Sequence, residues 1–285
     1  MNEILVVDKP QNCTSRDVVN FICKKFNTRK VGHTGTLDPM ATGVLVILIG
    51  KYTNLVEVIT AYDKVYEAEI TLGILTDTLD STGNVLKEEK VAVKTCEIKK
   101  VLKNMIGNYK QTVPIYSAVK VNGKKLYEYA RSGEKVTLPI REVEIKSLEI
   151  ISDIVKKDDK IIFKIKTKVS KGTYIRALIN DIATNLNTVG IMSSLRRIKQ
   201  GNIDISEANT INQIENDNYC FYDINKCLNE IYSVDVNEEL FYKIKNGVQL
   251  QNIYNADIIL FKYKNNNIAI YKNSNNVLKM WKYLL

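Results

Sequence analysis

The chain's 285 residues, 45% hydrophobic and 26% charged, have the composition of a folded globular protein and suffice for one large core plus a small appended domain. Forty-one lysines and arginines against 32 acids give a formal charge of +9, which biases the chain toward polyanions without naming one. The longest apolar run, residues 44–49, is far short of the ~20 residues a bilayer span needs; five scattered cysteines without a CxxC pair suggest neither disulfide framework nor zinc site; and a single histidine excludes a histidine-rich metal centre.

The opening MNEILVVDKP has an early acid and no basic n-region, so no signal peptide and a cytoplasmic location are expected. Residues 12–15 read as a turn, after which Val18, Val19, Ile22 and Phe26 recur at helical spacing; Thr14 or Ser15 can cap this helix, with Asp17 near its positive end. The stretch VGHTGTLDPMATGVL, residues 31–45, then delivers the chain into VLVILIG, a buried strand ending at Gly50. VYEAEITL alternates strictly, so Tyr66, Ala68, Ile70 and Leu72 share the inward face. TDTLDSTGN, residues 76–84, is a turn-rich loop, and residues 95–107 form an amphipathic helix presenting Ile98, Val101, Leu102, Met105 and Ile106 before a glycine stop.

Between residues 110 and 141 basic and tyrosine side chains interleave. Strands are predicted at 142–150 and 161–169, the second with Lys164, Lys166 and Lys168 on its solvent face, and a helix over 174–187 buries Ile175, Leu178, Ile179, Ile182 and Leu186. Beyond residue 205 asparagine becomes abundant and periodicity weakens. From residue 237 a helix-like stretch precedes strand candidates at 257–264, 267–272 and 277–283, enough for a small β-rich domain.

The glycine-rich stretch invites a nucleotide-phosphate reading, but six residues separate Gly43 from Gly50-Lys51 where a phosphate loop has four, and Tyr52 stands where Ser or Thr belongs. An aspartyl-phosphate loop at Asp38 would need a second carboxylate two residues on, and His33 with Asp38 is too small a ligand set for a catalytic metal. What survives is one carboxylate in a rigid loop. Proline pushes Asp38 out of the helical region, while Gly32, Gly35 and Gly43 permit close backbone approach. An isolated Asp-Pro ordinarily makes an Asx turn; a nucleophilic Asp38 would need a cation to keep it ionised and aimed. Arg176 in SKGTYIRALIND is a candidate, although alone it reads as a surface or phosphate contact.

VGHTGTLDPMATGVL resembles, at essentially every position, the signature of the TruB family of tRNA pseudouridine synthases. DKPQNCTSRDVV, VPIYSAVKVNGKKLYEYAR, VSKGTYIRALINDIA and the LRR at 195–197 agree in order and spacing, so the resemblance covers about residues 1–200. It departs at Asn12, where the family usually has glycine, and is weak over 237–285.

The resemblance implies an α+β fold: a catalytic domain, 1–232, with a mixed, mainly antiparallel central sheet flanked by helices and an RNA-gripping insertion at about 110–141, then a small β-rich PUA-like domain, 233–285. It implies that Asp38 is the nucleophile toward uridine-55 of the tRNA T loop, attacking ribose or base; that Arg176 pairs with Asp38; and that Tyr66 stacks on the target base and helps remove the C5 proton. Tyr174 and Leu195 would line the same pocket, His33 would fill the gap left by flipped bases, Gly35 would let RNA approach, and Lys120, Lys124, Lys125 and Arg131 would meet phosphates. No cofactor, membrane or obligatory protein partner is implied, and a monomer is expected. Two rival readings are a non-catalytic RNA-binding or tRNA-folding protein and a relative of the guide-RNA-dependent synthases.

Overall fold

Thr14, extended at φ −80° and ψ 155°, opens the helix Ser15–Lys25: its hydroxyl accepts from the Asp17 amide, and the Asp17 carboxylate accepts from the Thr14 amide in return. This reciprocal cap satisfies two groups that a helix end otherwise leaves orphaned. Val18, Val19 and Ile22 on the buried face pack with Leu5, Val7, Leu45, Ile47 and Ile49. The turn before the helix survives without glycine because Asn12 takes φ 60°, a conformation asparagine tolerates.

The computed structural model describes residues 1–285, which fall into two units interleaved along the chain. The first comprises Met1–Asp38, Val44–Thr60 and Gly201–Leu285, the second Pro39–Gly43 and Ala61–Gln200.

In the first unit, strand Ile4–Lys9 pairs in parallel with Asn209–Thr210, and Val31–His33 runs antiparallel to the 44–49 run of Thr42–Ile49. A separate five-stranded sheet has the order Tyr232–Asp235, Ile258–Tyr263, Asn266–Ser274, Val277–Tyr283, Leu250–Gln251, accompanied by the helix Glu238–Lys245. The helix and the three long strands match the sequence reading; the two short edge strands were too brief to show a period. Ile244, Ile259, Phe261, Ile268, Tyr271 and Leu278 give this sheet its own core. The expected domain start at 233 falls inside its first strand, within the first unit.

In the second unit five antiparallel strands follow the order Gly190–Gln200, Lys64–Leu72, Lys160–Val169, Ile140–Ile150, Gly107–Thr112. Thr42 and Gly43 pair in parallel with Arg196 and Arg197, making the sheet mixed but mainly antiparallel, as expected. The helices Thr95–Asn104 and Ile175–Asn185 pack on its strands Ile140–Ile150 and Gly190–Gln200.

Two readings are corrected and a third is specified. The helix expected to 107 ends at Asn104: Ile106 is exposed, and Gly107, at φ 114°, opens a strand instead of stopping a helix. The helix expected from 174 begins at Ile175, with Tyr174 as its N-cap. Gly43 indeed permits a close approach, but by protein: at φ 102°, a Cβ there would stand 2.2 Å from the Arg197 carbonyl oxygen.

Candidate active site

In the first unit the strand pairing continues one step past His33, where the Thr34 amide donates to the Val46 carbonyl at 3.1 Å. Thr34 is fully buried, and Gly35 at φ 131° then turns the chain. Leu37 is held on both sides by a single hydroxyl: its amide donates to Ser15 Oγ at 2.9 Å, and Ser15 Oγ donates to its carbonyl at 3.2 Å. Of the two cap candidates, Thr14 therefore caps the helix, while Ser15, also buried, fixes the residue immediately before Asp38. His33, Gly35 and Asp38 thus lie on one short loop anchored at both ends, and loop residues become functional when a rigid scaffold holds them.

In the second unit Tyr66 points inward from Lys64–Leu72, as its alternation predicts. Register places Arg197 opposite Tyr66 and Leu195 opposite Ala68, so Leu195 is a diagonal neighbour of Tyr66 on the same face. Lys64 shares that face; burial, with the Arg197 cation nearby, lowers its pKa to about 8, and its ammonium donates to the Tyr62 carbonyl at 2.6 Å.

Arg176 is the second residue of Ile175–Asn185 and is buried. Its Nη1 donates to the Thr78 carbonyl and its Nη2 to the Tyr116 carbonyl, each at 2.9 Å, while Nε lies 3.7 Å from Asp80 Oδ2. Asp80 is a residue that sequence reasoning missed. It is 4% exposed, and its Oδ1 accepts from Thr78 Oγ1, Thr82 Oγ1 and the Thr82 amide. The signal was present in TDTLDST, where hydroxyls two residues either side of an aspartate mark a loop closed by side-chain turns.

The insertion holds a hairpin, Lys120–Val121 with Lys124–Lys125, followed by the helix Leu126–Ser132. Lys124 pairs with Glu134 at 2.7 Å and lies 4.7 Å from the Tyr129 ring centroid, and this pair holds the Glu134 carboxyl below its usual range. Lys125 and Arg131 both lie 5.4 Å from the Tyr127 ring. Lys120 faces Lys125 across the hairpin and is exposed. The four basic residues therefore form one tyrosine-interleaved cluster, and the exposed Lys124–Glu134 pair contributes little to stability.

Two solved structures share this architecture: an H/ACA ribonucleoprotein bound to a substrate RNA containing 2′-deoxyuridine, at 20% identity, and a Cbf5-Nop10-Gar1 complex, at 21%. Each gives a TM-score of 0.72 and covers 99% of this chain and 85% of its own. This fold, together with a family match over residues 23–175, defines the class as a pseudouridine synthase. Residues 23–175 match the TruB family pseudouridylate synthase (N terminal domain), and the chain belongs to that family. Relatives called tRNA pseudouridine synthase B are 42% identical in Caldanaerobacter subterraneus subsp. tengcongensis, covering 94% of this chain and 93% of the relative, and 41% identical in Acholeplasma laidlawii, covering 100% of both. One from Staphylococcus haemolyticus is 46% identical over 75% of this chain and 71% of its own length. No helix is long and apolar enough to cross a membrane.

Proposed function

We propose that this chain converts uridine-55 in the T loop of tRNA to pseudouridine, acting as a cytoplasmic monomer with no obligatory protein partner. The observation that carries the reading is the near full-length identity to relatives called tRNA pseudouridine synthase B, of which 93–100% is covered in two cases. In the reaction the N1–C1′ bond breaks, the uracil rotates, a C5–C1′ bond forms, and the C5 proton leaves as N1 gains one. Atoms and oxidation state balance within the nucleotide, so the chemistry calls for no metal, redox group or phosphoryl donor.

Asp38 is the proposed nucleophile, at the ribose or at the base. A covalent carboxylate divides one difficult exchange into two easier steps. The Ser15 clamp on Leu37 supports this role, because a nucleophile works best when its backbone is fixed beforehand. Arg176 is proposed to hold the carboxylate ionised and aimed, a role suited to a buried guanidinium with two carbonyl acceptors already fixing its plane. Tyr66 would stack on the flipped uracil and assist loss of the C5 proton, with Tyr174 and Leu195 beside it. His33 would occupy the gap left in the RNA stack, Gly35 would let RNA approach its loop, and Lys120, Lys124, Lys125 and Arg131 would meet phosphates. Residues 233–285 would act as a PUA-like RNA-binding domain appended to a catalytic domain, 1–232.

The test is tritium release from an unmodified tRNA transcript labelled at uridine C5, in EDTA and with no guide RNA or second protein. Release by the purified chain, absent with Asp38→Ala, is the expected result. Absence of release from the wild type, or equal release by the variant, would sink the proposal in favour of a binding or guide-dependent protein.

A further inference from the structure

The geometry points to Gln111 as a positioning residue for this reaction, setting where the helix that carries Arg176 begins. The inference rests on the proposed function for its readout and on contacts within the second unit for its argument. Gln111 lies on Gly107–Thr112, the last strand of its sheet, and is the one fully buried residue of that strand, 1% exposed. An apolar side chain would suit that burial, whereas an amide is tolerated there only if its polar atoms are matched.

They are matched by one residue's backbone. Gln111 Oε1 accepts from the Tyr174 amide at 2.8 Å, and Gln111 Nε2 donates to the Tyr174 carbonyl at 3.1 Å. The second Nε2 proton goes to the Tyr109 hydroxyl at 2.5 Å. The pattern fixes the orientation of the amide, since exchanging its oxygen and nitrogen would set donor against donor and acceptor against acceptor.

Tyr174 is the N-cap of Ile175–Asn185, at φ −97° and ψ 115°, and no side chain of its own caps that helix. Its carbonyl also accepts the first helical bond, from the Leu178 amide at 3.0 Å. Gln111 therefore acts as a cap supplied from a neighbouring strand: it immobilises the residue from which the first turn is measured, two residues before Arg176. The guanidinium bonds to Thr78 and Tyr116 restrain the far end of the Arg176 side chain, and the Gln111 clamp restrains the backbone that bears it. A helix start freed to fray would leave the arginine tethered at its tip and mobile at its root.

The experiment compares Gln111→Met, which keeps length and loses all three hydrogen bonds, with Gln111→Glu and with a stability control, Val143→Ala, on the adjoining strand. Because displacements of about an ångström at a catalytic group cost up to ~100-fold, Gln111→Met should lower the single-turnover rate at saturating tRNA by about 10- to 100-fold, with tRNA affinity within about threefold of wild type. Val143→Ala, assayed well below its melting temperature, should keep the wild-type rate.

Gln111→Glu supplies a signature that lost packing would not. An ionised carboxylate would set an acceptor against the Tyr174 carbonyl, whereas the protonated acid reproduces the amide's one donor and one acceptor toward that residue. Its rate relative to wild type should therefore recover as pH falls from about 8 to about 6, the range into which burial raises a carboxyl, while the Gln111→Met ratio stays flat. Wild-type release with an undiminished Gln111→Met rate, an equal loss in Val143→Ala, or a pH-independent Gln111→Glu ratio overturns the inference alone. Failure of the wild type to release tritium overturns the functional reading, and the role of Gln111 in that reaction with it.

Discussion

One hydroxyl holding both backbone groups of Leu37 makes a specific demand on Ser15. Removing it leaves a buried amide and carbonyl unmatched, at about 1–3 kcal/mol, so Ser15→Ala should lower both the denaturation midpoint and the rate of tritium release, while Thr14→Ala should lower the midpoint and spare the rate. The two adjacent hydroxyls thus separate a helix cap from a loop clamp. Asp80 makes a parallel demand: Asp80→Asn keeps the shape of the threonine-lined loop but removes the charge 3.7 Å from Arg176 Nε. With both side chains buried, that change should cost about 1–3 kcal/mol and about tenfold or more in rate, read by chemical denaturation and single-turnover kinetics. The glycines and proline around Asp38 drew attention to it in the sequence, but only the family resemblance proposed it as the nucleophile. The role of Ser15 was not legible, because it rests on Leu37, 22 residues away; for Asp80 the flanking hydroxyls marked a closed loop, but no local pattern showed its partner Arg176.

Legibility at the scale of elements follows the regularity of the period. Lys64–Leu72 alternates without interruption and could be read residue by residue, Tyr66 included. Gly190–Gln200, which pairs with it, escaped recognition: register shifts between Met192 and Ser194 and between Arg197 and Lys199 break its alternation, and the buried Arg197 looks like surface. Ile175–Asn185 was legible from its apolar stripe, yet the stripe concealed a titration. Asp181 lines a cavity of about 250 Å³ with Val113, Ile115 and Ala177, and burial raises its carboxyl to about 6, with a hydrogen bond from Asn180 opposing the shift. A carboxyl raised on folding binds its proton more tightly in the native state, so its burial has no cost below the ordinary carboxylate range, and the cost grows as pH rises to about 6 and is constant above. Asp181→Asn should therefore raise stability at neutral pH by of order 1 kcal/mol after allowance for partial solvent screening, read as a higher thermal midpoint, and leave it unchanged near pH 4. Equal gains at both values would exclude burial of charge as the cause.

For the whole molecule, the net charge of +9 and the tyrosine-interleaved insertion make affinity for RNA a salt-dependent quantity, while its partition between the two proposed domains is a separate question. Residues 233–285 carry seven lysines against four acids, and Trp281 lies between Lys272 and Lys282, 5.5 and 5.0 Å from its ring, a stacking surface flanked by cations. The terminal sheet has its own core, and its links to residues 51–57 include the Lys282–Glu57 pair at 2.9 Å and the Lys51 bond to the Leu285 carbonyl at 3.1 Å, both exposed and each worth little. A chain ending at residue 231 should consequently remain folded, with one cooperative unfolding transition. At saturating tRNA its rate should stay within about threefold of the full chain, because Asp38, Tyr66 and Arg176 are all retained. Its KM should rise about tenfold or more, and the slope of log affinity against log salt should become shallower by about 0.7–0.9 for each phosphate the terminal sheet contacts. An unchanged KM and salt slope would remove RNA binding from residues 233–285, and loss of the folded transition would show that the sheet completes the first unit's core.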